Sequence, residues 1–186
     1  MSKNTNVRTI SLVGLGIALN IIGTFIALSL KLPIYLDSIG TIMIACFLGP
    51  KYAVITGVCG SLISGTFDIY SLYFAPVQIA TGLFAGLMYK KGLLKGKKTP
   101  LGVFIVAIPT AIISATISAY LFEGVTSSGS SYIVQLLKAV GMPDILSVFV
   151  IQILTDYADE FVAVTLVSMG INTLPKSIRL SMKGNK

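Results

Sequence analysis

ILTDYADEFVAV, residues 153–164, sets Asp156, Asp159 and Glu160 inside a segment whose other residues are those of a buried helix. No Lys or Arg occurs between Lys138 and Lys176 to pair with them. At about 100° per residue, Gln152, Thr155, Asp156 and Asp159 share one helix face, with Glu160 flanking it and Ser147 above. A carboxylate at the centre of a bilayer costs at least ~2.5–3.5 kcal/mol on insertion scales. If the surroundings are lipid, this stripe must turn toward a bundle interior or a wet cavity.

The surroundings are lipid-like. Of 186 residues, 54% are hydrophobic and 11% charged, with a mean hydropathy of +0.89; a soluble domain carries about 25% charged residues. Apolar runs near the ~20 residues that cross a bilayer recur along the chain. They fall at about 9–30, 36–50, 52–66, 72–90, 101–122 and 143–172. The expected fold is an all-α integral membrane protein, one transmembrane domain over 1–186, a compact bundle of six transmembrane helices. The second and third runs are short and join at Gly49-Pro50-Lys51, which suits a tight hairpin of tilted helices. Tyr132–Val140 reads as a short amphipathic helix lying on one face. The first run is too long for the core of a cleaved signal peptide.

Basic residues orient the bundle. Lys3, Arg8, Lys51, Lys90, Lys91, Lys95, Lys97, Lys98, Lys176, Arg179, Lys183 and Lys186 fall on one side of alternating spans, and only Lys31 and Lys138 on the other. Both termini are therefore expected in the cytoplasm. The net charge of +7 then reflects topology and anionic headgroups, with no call for nucleic acid as a partner. The three outer connections, 31–38, 66–74 and 123–144, carry Asp37, Asp68, Glu123 and Asp144 with Tyr35, Tyr70, Tyr73 and Tyr132. Tyrosine is also a common interfacial anchor.

Small residues recur at helical spacing, which lets helices approach closely in lipid. The rows are Ala107, Ala111, Ala115 and Ala119; Gly57, Ser61 and Gly65; Gly82 and Gly86; and Gly14 and Ala18, continued by Gly23 and Ala27. Gly14 and Ala18 suit either packing within the chain or docking of another subunit. Pro109 should kink the fifth span. No internal repeat supports an inverted-repeat transporter.

The acidic stripe has three readings: carboxylates bonded to neighbours that fix the bundle, a site for a polar or cationic ligand, or proton or metal-ion coupling. The lack of intramembrane Lys or Arg favours a ligand that brings its own donors. Asn20 with Thr24, and Gln78 with Thr81, are polar pairs that suit the same cavity. Enzyme signals are poor. There is no His, no nucleophile or metalloprotease motif, and no phosphate-binding glycine loop. Cys46 and Cys59 read as small buried hydrophobes, and no cofactor or metal site is expected. Active transport would need a partner that hydrolyses ATP.

At this point the chain resembles the substrate-binding S component of energy-coupling factor (ECF) vitamin transporters. Six spans, cytoplasmic ends and the small-xxx-small pair in the first span carry the likeness. So do LPIYLDSIGTIMIACFLGPKYAVITGVCGSLISG (32–65), PVQIATGLFAGLMYKKG (76–92) and the TDYADE segment running to LP (155–175). In members similar over that last segment a Lys commonly follows the second Asp; here Glu160 stands there. The resemblance implies a plasma-membrane protein of a prokaryote that captures a micronutrient outside. It would then dock on a transmembrane coupling protein and two ATPases. It implies docking through Gly14 and Ala18. It also implies a site on the outer half, capped by the first and third outer connections, to which Tyr35, Asp37, Asp68, Tyr70, Gln78, Asp144, Gln152 and Asp156 would contribute; Asp159 lies deeper on the same face. Tyrosines and carboxylates suit a flat heterocycle with donors or a positive charge: thiamine-like, pyridoxamine-like, flavin, nucleoside or deazaguanine. A membrane sensor or scaffold subunit and a solitary secondary carrier stay open as alternatives.

Overall fold

The computed structural model describes residues 3–173, with side chains from Val7 onward. Lys3, Lys176, Arg179, Lys183 and Lys186, used above for orientation, and the Leu174-Pro175 end of the family-like segment lie outside the described side chains.

The described residues form α-helices with no strand: α1 (Lys3–Ser29), α2 (Ile39–Leu48), α3 (Pro50–Ser64), α4 (Ile69–Tyr73), α5 (Ala75–Lys90), α6 (Thr99–Phe122), α7 (Ser130–Ala139) and α8 (Asp144–Thr173), with a 3-10 turn over Gly96–Lys98. The six apolar runs underlie α1, α2, α3, α5, α6 and α8, and the expected amphipathic segment is α7. Two stretches, Val7–Ser29 and Gly96–Phe122, are long and apolar enough to cross a membrane. α2 has 10 residues, about 15 Å at ~1.5 Å per residue, half a hydrocarbon core. α8 is long enough, but every 18-residue stretch of it contains Asp156, Asp159 and Glu160.

Local chemistry sets the joins. Leu48 ends α2 and Pro50 starts α3, with only Gly49 between them at φ +88°, a backbone state that disfavours side chains. Proline suits the first helical turn, whose N–H groups have no helical partner. The hairpin read from Gly49-Pro50-Lys51 is thus a one-residue corner.

Packing is close-range. α6 lies along α8 and α3 along α5, with α2 between α1, α3 and α5. A Cβ on Gly82 would sit 2.7 Å from the Val54 amide nitrogen, and one on Gly86 2.7 Å from Pro50 Cα. The Gly82/Gly86 pair therefore seats α5 directly on the backbone of α3. Ala107, Ala111 and Ala115 are buried on the face α6 turns inward. A dry core of Ile42, Ile44, Val103, Val106, Ala163 and Val164 closes the end of the bundle nearer Gly49 and the lysine-rich turn.

The row in α1 divides. Gly23 and Ala27 are buried, and a Cβ on Gly23 would lie 1.9 Å from the Leu36 carbonyl oxygen. Gly14 and Ala18 are exposed, and a Cβ on Gly14 meets nothing within 4 Å. Nine residues from Gly14 to Gly23 turn the helix by about 180°, so the two pairs cannot form one stripe. Gly16, buried against Gly40, joins the inward set instead.

Candidate functional site

Asn20 organises one wall. Its Oδ1 accepts from the backbone N–H groups of Gly40 at 2.7 Å and Thr41 at 3.2 Å. These are first-turn donors of α2, which Ser38, the residue before the helix, leaves uncapped. Asn20 Nδ2 donates to Thr41 Oγ1 at 2.8 Å, Thr41 Oγ1 donates to Gln78 Oε1 at 2.8 Å, and Gln78 Nε2 donates to the Asp37 carbonyl at 3.3 Å. A chain of side-chain amides and a hydroxyl thus ties α1, α2 and α5 together and fixes the end of the 30–38 connection.

The opposite wall is α8. Asp156 accepts from Ser114 of α6. Glu160 Oε1 accepts from Thr81 of α5 at 2.8 Å. Asp159 Oδ1 accepts from the backbone N–H of Leu36 at 3.0 Å. Leu36 has φ +53°, uncommon for a residue with a side chain, and this left-handed turn brings the connection's N–H to the carboxylate. Glu160 is 4% exposed, and its Oε2 has no hydrogen-bond partner. The hydroxyl of Ser38 is likewise buried without one.

Between the walls is a cavity of about 40 Å³. Tyr35, Asp37, Gln78, Gln152, Asp156 and Asp159 line it, together with Glu160, the Ser38, Ser71, Thr81, Thr110 and Ser114 hydroxyls, Phe74 and Val77. That volume holds a few waters, each needing ~10–15 Å³ by this measure. None of the lining residues is basic. Among the described residues, no group of three acids, Cys or His is placed to hold a metal ion.

The lid is built from two connections. The Gly129 N–H donates to the Leu32 carbonyl at 2.9 Å, and Tyr35 OH and Ser127 Oγ are 3.1 Å apart. Ser127 in turn donates to Asp68 Oδ2 at 3.0 Å, and Ser71 donates to the same oxygen at 2.9 Å. Burial pushes the Tyr35 phenol up to about 12, so it stays protonated as a donor. Burial also pushes Asp37 up to about 6, with the nearby Asp68 charge adding to the rise and a Gln78 hydrogen bond opposing it.

Six of the residues singled out from sequence, Tyr35, Asp37, Gln78, Gln152, Asp156 and Asp159, therefore meet at one cavity. Asp68 is buried one hydroxyl away from it, behind Ser71. Tyr70 is not among the lining residues: its ring packs on Phe122, 4.8 Å between centroids. Asp144 is at the surface, 3.5 Å from Lys138 Nζ. Glu160, read as a flank of the stripe, is the most buried carboxylate of the wall. Asn20 and Thr24 do not line this cavity; Asn20 supports it through Thr41 and Gln78.

The family model described as "ECF-type riboflavin transporter, S component" matches residues 4–171. No curated protein and no solved structure matches the chain.

Proposed function

The chain belongs to the S-component family of ECF transporters, and from that premise we propose that it is the substrate-binding subunit of an ECF importer. It captures a vitamin or related heterocyclic micronutrient outside a prokaryotic cell and delivers it inward with a coupling protein and two ATPases. The observation that carries this reading is the polar cavity. In an otherwise apolar chain it gathers carboxylates, amides, hydroxyls and a tyrosine from four helices and one connection. Such concave sites with a few convergent polar groups are where small molecules bind.

The arrangement supports an outward site. In α5, Gln78 stands at the opposite end from Lys90, twelve residues or ~18 Å away. In α6, Ser114 lies sixteen residues, ~24 Å, beyond Lys98. With the lysines in the cytoplasm, the cavity lies toward the outer face of a six-span bundle with both termini inside. Tyr35, Asp37, Gln78, Gln152, Asp156, Asp159 and Glu160 are the proposed ligand contacts, with Asp68 bracing Ser71 and Ser127. A drug-sized pocket is roughly 300–1,000 Å³, so this site must widen to admit a heterocycle, and the two connections of the lid, joined by hydrogen bonds between Gly129 and Leu32 and between Tyr35 and Ser127, are where it would part. Gly14 and Ala18, on the open face of α1, are the proposed docking face for the coupling protein.

ATP-dependent uptake in vesicles carrying this chain with a coupling protein and ATPases tests the reading. Uptake that needs the partners supports it. Uptake by this chain alone points to a secondary carrier. A membrane scaffold is the second reading, favoured by the hydrogen bond that each of Asp156, Asp159 and Glu160 already accepts; it predicts no ligand at any concentration.

A further inference from the structure

Resting on the importer reading, we propose that the ligand of this site is an organic cation: a small heterocycle or aryl group carrying an ammonium, amidinium or quaternary nitrogen. Four carboxylates, Asp37, Asp156, Asp159 and Glu160, border one cavity. The groups that complete its lining are neutral. Buried carboxylates are normally paired with a cation, because a hydroxyl returns only part of the hydration they lose.

Ser114, Thr81 and the Leu36 N–H each supply a single donor to Asp156, Glu160 and Asp159. The second oxygen of Glu160 is buried, borders the cavity and has no partner. The Ser38 hydroxyl, outside the acidic cluster but lining the same cavity, is likewise buried without a partner, and the two unpartnered polar atoms are the sign of a missing ligand group. A buried polar atom without a partner is costly unless something fills the position in the working state.

An inorganic ion fits less well. A metal site needs three or more oxygens converging at ~2.0–2.6 Å, and among the described residues no three acids are so placed. A cation spread over a planar or alkylated nitrogen group tolerates carboxylates on several sides. It also gains from the Tyr35 and Phe74 rings, which both line the cavity with centroids 6.0 Å apart.

Thermal unfolding of the full-length protein in detergent, titrated with matched pairs, tests this. The probes are pyridoxamine against pyridoxine, benzamidine against benzamide, and thiamine against riboflavin, with sodium and calcium chloride as inorganic controls. A saturable rise in Tm is expected for at least one organic cation and not for its neutral partner. Glu160→Gln, which keeps an acceptor for Thr81, should weaken that response at least tenfold. Asp144→Asn, outside the cavity, should preserve it. Equal or stronger stabilisation by the neutral members overturns the cation assignment and leaves the importer reading standing. Stabilisation by the inorganic salts alone overturns it in favour of a metal ion. No response to any probe also overturns it, and if the chain then fails to co-purify with a coupling protein the importer reading falls as well.

Discussion

Thr81 Oγ1 donates to Glu160 Oε1 at 2.8 Å, while Glu160 Oε2, on the same buried carboxylate, has no partner. Half of this side chain is structural and half is free. Glu160→Gln should therefore keep the α5–α8 contact and leave Tm nearly unchanged, since the amide keeps both the shape of the side chain and an acceptor for Thr81. Glu160→Leu should leave the Thr81 hydroxyl without its acceptor and cost about 1–3 kcal/mol. Thermal unfolding of the two variants separates these roles.

Asn20 makes three hydrogen bonds at the start of α2. Asn20→Leu leaves two buried N–H groups of that helix without an acceptor, each worth roughly 1–3 kcal/mol. The expected outcome is a loss of about 2–5 kcal/mol in stability and weaker ligand binding through misplaced Thr41 and Gln78. Asn20→Asp keeps an acceptor for both backbone N–H groups and should lose less. Denaturation midpoints and binding isotherms check the order.

The two glycine positions of α1 should behave differently. Gly14→Leu enlarges an exposed face and should abolish docking on the coupling protein while sparing ligand affinity. Gly23→Leu forces atoms into the Leu36 carbonyl, 1.9 Å from the first added carbon, and should disrupt the fold. Co-purification of the coupling protein with the Gly14 variant at the native level would contradict the docking assignment.

Burial pushes the Asp37 carboxyl up to about 6 from its ordinary 3.8. The folded state therefore holds a proton that the unfolded state gives up between those values. Stability from this group is fully present below about pH 4 and declines as pH rises to about 6. Asp68, Asp156, Asp159 and Glu160 surround it, and Asp37→Asn isolates its share. Unfolding midpoints from pH 4 to 7 should fall less steeply in that variant than in the native protein.

Much of this fold is written in the sequence because lipid-length apolar runs and their breakers are strong signals. The positions of α1, α5, α6 and α8, and the Gly49-Pro50 corner, follow from them. α4 does not, since the five residues Ile69–Tyr73 are too few to display a period, and the segment reads as part of a connection. α7 starts at Ser130, not Tyr132, because serines at a helix start look like loop. The site is half legible. Carboxylates in an apolar helix draw notice wherever they stand, so Asp156 and Asp159 were visible. Thr110 and Ser114 were not, because a hydroxyl in a membrane helix reads first as close packing. Tyr70 and Asp144 share the outer side with the site, but sidedness says nothing of depth; one packs on Phe122 and the other pairs with Lys138 at the surface.

Native mass spectrometry of the full-length protein, released from its own membranes and then incubated with the heterocycles named above, tests the central claim most directly. A one-to-one heterocyclic adduct that Asp156→Asn removes is the expected result. A bare protein mass under every condition, with native and Asp156→Asn chains indistinguishable, would contradict it and leave the carboxylates of α8 as structural groups.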